Sequence, residues 1–327
     1  MKYAAYGIPW MRVRDRFMAG GYHKDEELNY IQILERIAQV PGVDGVELNY
    51  FNNVTEKNVA EIKAKLAELN LGVSCVGAPV SGEPQWTWGT LTSPKKESRD
   101  MAIERVKATM DIAYELKTKN INLWVAQDGY DYPLEMDYAE AYDMLIDGIK
   151  QIAKHRSDIN VCLEYKINEP RKQILNTNIG KALYLSNKVN MNNVGVLLDF
   201  GHAYQARENP AESAYLAARE GKLFHVHVND NRGYDDDDFM AGAVHFFEYI
   251  DFVYWLKKTN YDGWLGLDIF PIRENGARAV KNTITFMKGI ESLVEKIGMD
   301  ELKKASENRD VTGLYELVWD ILFNFKS

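Results

Sequence analysis

The stretch Val194-Gly195-Val196-Leu197-Leu198-Asp199-Phe200-Gly201-His202 decides how the rest of the chain is read. It opens on apolar or small residues with no polar alternation, the pattern of a parallel strand buried on both faces. It then closes on an acid and, three residues later, an imidazole. Further runs of this kind lie at 3–8, 45–50, 72–77, 121–125, 160–165, 223–228 and 264–270. Between them are segments with helical spacing at 26–40, 56–69, 96–116, 138–154, 171–189, 211–221 and 246–258. Strands alternating with amphipathic helices make parallel β-α units. The number of units predicts an α/β fold, a closed (β/α)8 TIM barrel, rather than an open doubly wound sheet. No Gly-x-Gly-x-x-Gly follows the first run, which also argues against a dinucleotide-binding sheet. Helical propensity continues from Arg278 to the end, past what the barrel needs. The expected organisation is a barrel over 1–298 and a helical extension over 299–327, packed on the barrel or on a neighbouring subunit.

At 327 residues the chain is long for one domain, but barrels of this type reach that size as one unit. Its 46% hydrophobic and 27% charged residues are those of a soluble globular protein. A net charge of −9 with no basic run opposes nucleic acid and anionic membranes as partners. Cys75 and Cys162 sit inside apolar runs and read as buried free thiols. Met1-Lys2-Tyr3-Ala4-Ala5 lacks the pattern of a signal peptide, and no run has the length of a membrane span. The cytoplasm is the expected location.

Catalysis in such barrels sits where the strands end. Four consecutive runs end in ionisable residues: Leu163-Glu164-Tyr165-Lys166, Leu198-Asp199 through His202, Phe224-His225-Val226-His227-Val228-Asn229-Asp230, and Gly266-Leu267-Asp268-Ile269-Phe270. Any one of these acids alone would read as a solvated strand end, and any one histidine as a satisfied core residue. Glu164, Asp199, His227 and Asp268 on consecutive strands read instead as a ring around one mouth. Carboxylates so close repel one another in a low dielectric unless a cation neutralises them. Oxygen ligands with one imidazole suit Mn²⁺, Mg²⁺ or Co²⁺ better than structural zinc.

A second constellation lies beside the first. Asp199 and His202 approach one ion if the chain turns after its strand. Asp235-Asp236-Asp237-Asp238 follows in the next loop, where a run of aspartates is ordinarily solvated. Alternate residues of extended chain point the same way, so Asp236 and Asp238 could share a second ion with Asp199 and His202. Lys166 faces the same cavity, where an ammonium can stabilise charge developing on a substrate oxygen. A plain salt bridge to a ligand carboxylate is compatible with that role. Trp86, Trp88 and Trp124 are ordinary packing residues by default, but in a sugar site a flat ring walls the C–H face of the substrate. Gln127 and Asp128 follow Trp124 closely enough to reach its hydroxyls.

These residues resemble the xylose-isomerase-like superfamily and, within it, look most like the L-rhamnose isomerases. The carriers are Gly89-Thr90-Leu91-Thr92, Leu163-Glu164-Tyr165-Lys166 with Glu169-Pro170, Leu198-Asp199-Phe200-Gly201-His202, and Asp236-Asp237-Asp238 with Gly242. The resemblance implies a metal-dependent aldose–ketose isomerase working by a C1–C2 hydride shift with two divalent ions per chain, manganese above all. By that likeness Glu164, Asp199, His227 and Asp268 hold the structural metal. His202, Asp236 and Asp238, with Asp199 shared, hold the catalytic one, and Lys166 meets a substrate oxygen. The catalytic group is then Lys166, His202, Asp236 and Asp238, with Trp88, Trp124 and Lys166 contacting substrate. Partners implied are an unphosphorylated sugar and further copies of the chain, as a dimer or tetramer.

The sequence departs from that pattern in two places. One additional aspartate makes Asp235 and Asp237 alternative ligands, although Asp236 and Asp238 keep their spacing to Gly242. The third run ends Gly77-Ala78-Pro79 without the histidine those isomerases carry there. Rival readings are a ketose 3-epimerase, which needs one metal and opposed glutamates, and a metal-dependent lyase or deglycosylating enzyme. An endonuclease-like phosphodiesterase is opposed by the net charge.

Overall fold

A computed structural model describes residues 1–11, 17–22 and 28–323. Its sheet is a closed barrel of parallel strands, β1 (Lys2–Ala5), β2 (Gly45–Asn49), β3 (Gly72–Gly77), β4 (Asn120–Trp124), β5 (Asn160–Glu164), β6 (Val194–Asp199), β7 (Leu223–Val228) and β8 (Trp264–Leu267). Each pairs with its chain neighbour, and β8 closes on β1 with Lys2 opposite Trp264 and Ala5 opposite Leu267. The (β/α)8 expectation is met. β6 is buried along its whole length, as its unbroken apolar run requires.

The helices α1 (Tyr30–Ala38), α2 (Val59–Glu68), α3 (Lys96–Glu115), α4 (Tyr138–His155), α5 (Ile179–Val189), α6 (Phe200–Gln205), α7 (Pro210–Arg219), α8 (Phe246–Lys258) and α9 (Gly276–Ile297) surround it. Several start on an Asn or Asp whose side chain accepts from backbone N–H groups of the first turn. These are Asn29, Asp137, Asn178, Asp199, Asn209 and Asn275. Such caps satisfy donors that no helix can satisfy internally.

Several boundaries differ from the sequence reading, most of them for a local reason. The first strand stops at Ala5 because Pro9 presets a 3-10 turn at Ile8–Trp10. The last ladder stops at Leu267, and Phe270 N–H turns away to the Asp238 carbonyl, 2.9 Å. The helix expected over 171–189 begins only at Ile179, where Asn178 caps it, while Gln173–Ile174 pairs antiparallel with Gly129–Tyr130. The helix expected over 26–40 is described from Tyr30, residues 26 and 27 lying outside the described residues.

After α9 the chain does not continue as one helix. Gly298 (φ 91°) and Arg309 (φ 56°) adopt left-handed geometry and divide the remainder into α10 (Met299–Asn308) and α11 (Val311–Phe323). Leu302 and Val318 are buried, and Tyr315 stacks on Phe247 of α8 with ring centroids 4.0 Å apart. Among the described residues no helix is long and apolar enough to cross a membrane.

Candidate active site at the barrel mouth

The C-terminal ends of β5 to β8 deliver their ionisable residues to one place. One ligand atom each from Glu164, Asp199, His227 and Asp268 lies within 4.8 Å of all the others. His227 Nδ1 is 3.3 Å from Glu164 Oε1, 3.4 Å from Asp268 Oδ2 and 3.8 Å from Asp199 Oδ2. Two of these carboxylates are held by asparagines of neighbouring strands. Asn122 Nδ2 donates to Glu164 Oε2 (2.6 Å), and Asn229 Nδ2 donates to Asp199 Oδ2 (3.0 Å). Asp199 Oδ1 accepts from His202 N (2.8 Å), so the chain turns into α6 immediately and His202 is carried to the same mouth.

Glu164 Oε1 and His227 Nδ1 are buried and have no hydrogen-bond partner among the described residues. Buried polar atoms are almost always partnered, and here the unpartnered ones point at one another. Burial pushes the Asp199 carboxyl up to about 6 against the pull of the nearby imidazoles. Burial and the charges of Asp236, Asp268 and Asp199 push Asp238 well up too. Burial alone would lower His202, but Asp199 and Asp236 carry it to about 9. This much negative charge is stable in a dry site only with positive charge inside it. The donor set of carboxylates and one imidazole fits a hard or borderline divalent cation, and Glu164, Asp199, His227 and Asp268 are the residues that could hold it.

The acidic loop is a folded excursion rather than a solvated run. Asp230 and Phe239 exchange backbone hydrogen bonds of 3.0 and 2.8 Å across it, and the Asp230 side chain accepts from Val244 N, His245 N and His245 Nδ1. This turns Asp236 and Asp238 into the cavity, Asp238 at φ 47°, and leaves Asp235 exposed while Asp237 accepts from Arg232 N. Of the two alternate pairs, the cavity is lined by Asp236 and Asp238. They do not, however, form a second ligand group with Asp199 and His202 among the described residues. Asp236 Oδ2 is instead closed by Lys166 Nζ (2.7 Å) and His202 Nε2 (3.1 Å). Lys166 also pairs with Glu169 (2.6 Å), and these acids hold its ammonium above its ordinary range although burial opposes them.

The cavity holds about 290 Å³, close to the lower bound of ordinary small-ligand pockets. Trp124 walls it, with Lys166 Nζ 5.2 Å from the ring centroid. Trp88 does not reach it and is 61% exposed, while Trp86 is fully buried core. Nor does Asp128 reach it. The Asp128 carboxylate is buried and accepts from Thr90 N (2.8 Å), Leu91 N (3.2 Å), Thr92 N (2.8 Å) and both threonine hydroxyls. The Gly89-Thr90-Leu91-Thr92 motif is therefore a loop wrapped around a carboxylate.

The sequence reading missed Glu47, Asn122 and Asn229. Glu47 left a trace, since it stands charged inside the apolar run Gly45-Val46-Glu47-Leu48. Its oxygens lie 2.6 Å from His225 Nε2 and 3.2 Å from His227 Nε2, and it is fully buried. The two asparagines left no trace, because a polar residue near a strand end has many ordinary uses.

Fold and site together define a (β/α)8 barrel with a carboxylate–imidazole cluster at its C-terminal mouth. Residues 34–290 match the family described as xylose isomerase-like TIM barrel, and the chain belongs to that family. It is 24% identical over 269 residues to a xylose isomerase of Thermus thermophilus, spanning 78% of this chain and 69% of that one. Among solved structures, a D-tagatose 3-epimerase-like protein is similar at TM-score 0.72 and 22% identity, over 91% of this chain and 100% of the other. D-psicose 3-epimerase of Clostridium cellulolyticum H10 is similar at TM-score 0.66 and 17% identity, over 89% and 99% respectively. These structural likenesses concern the fold.

Asp128→Ala would strip the acceptor from three buried N–H groups at once. It is expected to lower stability by about 3 kcal/mol or more, read by urea unfolding. Mn²⁺ binding to the folded fraction should be unaffected. A variant as stable as the parent would show that the loop satisfies those donors elsewhere.

Proposed function

We propose that this protein is a divalent-cation-dependent isomerase that interconverts an unphosphorylated aldose and its ketose by a C1–C2 hydride shift. The observation that carries the reading is the Lys166–Asp236–His202 constellation set against the Glu164, Asp199, His227 and Asp268 cluster in one cavity. Glu164, Asp199, His227 and Asp268 would hold the cation, which when bound supplies Lewis-acid polarisation of neighbouring sugar oxygens. Lys166 has three N–H donors, of which Asp236 and Glu169 take two. The remaining donor serves a substrate oxygen on which negative charge grows. His202 and Asp236 hold a proton between Nε2 and Oδ2 beside that oxygen. Trp124 offers its face to the sugar's C–H surface and helps exclude water. Lys166 is the cavity's lone ammonium or guanidinium among the described lining residues and is already paired, which favours a substrate without phosphate. The same reading carries manganese, with cobalt or magnesium as substitutes, and a cytoplasmic homo-oligomer. A second ion at His202, Asp236 and Asp238 would find Asp236 Oδ1 and His202 Nδ1 without hydrogen-bond partners among the described residues, Asp236 Oδ2 being taken by Lys166 and His202.

A ketose 3-epimerase is the second reading. It is favoured by the lack, among the described residues, of a second ligand group around Asp236 and Asp238, and by the names of the similar structures. Against it, β8 supplies Asp268 rather than a longer glutamate, and a one-metal epimerase has no use for the aspartate cluster that brings Asp236 and Asp238 into the cavity.

Chelation and dialysis should abolish turnover, and Mn²⁺, Co²⁺ or Mg²⁺ should restore it. A panel of pentoses, hexoses and deoxyhexoses, with products resolved by chirality and carbonyl position, separates the readings. Aldose–ketose interconversion supports isomerase, whereas inversion at C3 alone replaces it with epimerase. Full activity in protein shown metal-free by elemental analysis would refute both.

Lys166→Met should lower kcat roughly a hundred- to a thousandfold, the usual cost of removing a donor to developing charge, with cation content unchanged. Wild-type kcat in that variant would reduce Lys166 to a salt-bridge partner.

A further inference from the structure

Behind the mouth lies a buried polar group that meets the site through His227 alone, and of which the proposed reaction uses neither Glu47 nor His225. Glu47 on β2 reaches across the barrel interior to β7. Its Oε1 lies 2.6 Å from His225 Nε2 and accepts from Ser74 Oγ at 3.0 Å, while its Oε2 lies 3.2 Å from His227 Nε2. Glu47, His225 and His227 are all fully buried, and none of them lines the cavity. The strand between makes room for this, since a Cβ at Gly266 of β8 would collide with both Glu47 Oε1 and His227 Cδ2. Tyr6 meets the His227 ring edge-on at 5.8 Å.

We propose that Glu47 is a positioning residue for the cation site, fixing the tautomer and ring plane of His227 so that Nδ1 faces Glu164, Asp199 and Asp268. An imidazole that donates from one nitrogen presents a lone pair on the other, and the partner of the first nitrogen decides which is which. Oε2 of the ionised Glu47 can only accept, so Nε2 carries the hydrogen, and the neutral ring that a cation requires presents its lone pair at Nδ1. Nδ1 is the atom that lies buried and unpartnered among the carboxylates. His225 and Ser74 hold the other oxygen, which prevents the carboxylate from rotating away.

Glu47, His225 and His227 also approach one another closely enough to be considered as ligands of an ion of their own. A 2.6 Å separation between Oε1 and Nε2 is a hydrogen bond. Two ligands of one ion repel and stand farther apart. The geometry points to orientation. This inference rests on the cation reading of His227 but not on the identity of the sugar or the reaction.

The test is Mn²⁺ titration of metal-stripped full-length protein, following free Mn²⁺ by electron paramagnetic resonance. Glu47→Met, similar in size and without an acceptor, should bind Mn²⁺ roughly ten- to a hundredfold more weakly. Glu47→Gln, which still offers an oxygen to His227 Nε2, should fall between that variant and the parent. Equal affinity in all three, with the parent binding Mn²⁺, overturns the positioning role and leaves the cation site standing. A parent that binds no divalent ion overturns the cation reading itself. A bound ion lost with His225→Gln but kept when Glu164 and Asp268 become Gln and Asn would make the buried trio the ligand set instead. Should the buried substitutions prevent folding, long-range ¹H–¹⁵N spectra of Zn²⁺-loaded parent decide the point. They should show His227 protonated at Nε2 and metallated at Nδ1. The opposite tautomer refutes the proposal.

Discussion

Negative charge held in a nearly dry barrel mouth is the constraint to which the surrounding structure answers. Glu164 and Asp199 are almost completely buried, and Asp236 is barely exposed beside them. Carboxylates in that setting are destabilising unless each oxygen is met by a donor or a positive charge. The molecule meets most of them with fixed groups: Asn122 and Asn229 from neighbouring strands, Lys166 and His202 from the strand ends, and the first turn of α6. What remains are bare atoms at Glu164 Oε1, His227 Nδ1, His202 Nδ1 and Asp236 Oδ1. A cation completes that balance, which is why the chemistry of the site follows from its electrostatics.

The same constraint explains the architecture of the loops above the barrel. The excursion between β7 and α8 could not bring two aspartates into the mouth if it were loose. It is tied at its base by the Asp230 carboxylate, which gathers Val244, His245 and the His245 ring, and at its tip by the bond from Phe270 N–H to the Asp238 carbonyl. The stub after β8 is thereby fastened to the loop after β7, so Asp268 and Asp238 share one rigid frame. A second buried acid, Asp128, does comparable work for the loop after β3 at a distance from the chemistry. Acids in this protein have two separate uses, and burial alone does not tell them apart. What separates them is where they converge: Asp128 is enclosed by the N–H and O–H donors of its own loop, whereas Glu164, Asp199 and Asp268 meet the same imidazole nitrogen of His227.

Below the mouth, the barrel interior is polar where an ordinary barrel core is filled with branched apolar residues. Glu47, Ser74, His225 and His227 form one connected network from β2 and β3 to β7. A network of this kind is tolerable only when it is nearly complete. Gly266 keeps the space open for it. The interior is thus continuous with the site, and the orientation of a mouth residue is decided by a strand on the far side of the barrel.

The sequence by itself determined the barrel, its strand order and the acids and imidazole at the ends of β5 to β8. Those features follow from local patterns, namely apolar runs of strand length alternating with helical spacing, and polar residues where a buried run stops. Element ends were less legible, because Pro9, Asn178 and Gly298 set them through turn and cap geometry that periodicity does not register. Closure of the barrel decided the rest. It turned Asp236 and Asp238 inward and Asp235 outward, gave Asp236 to Lys166 across 70 residues of chain, buried Trp86 and left Trp88 in solvent. It also brought Glu47 to His225 across 178 residues and enclosed Asp128, which the sequence had offered as a substrate contact, within the Gly89-Thr90-Leu91-Thr92 loop. Each of these outcomes depends on which distant strand supplies the neighbour, and that is a property of the closed sheet rather than of any local run of residues.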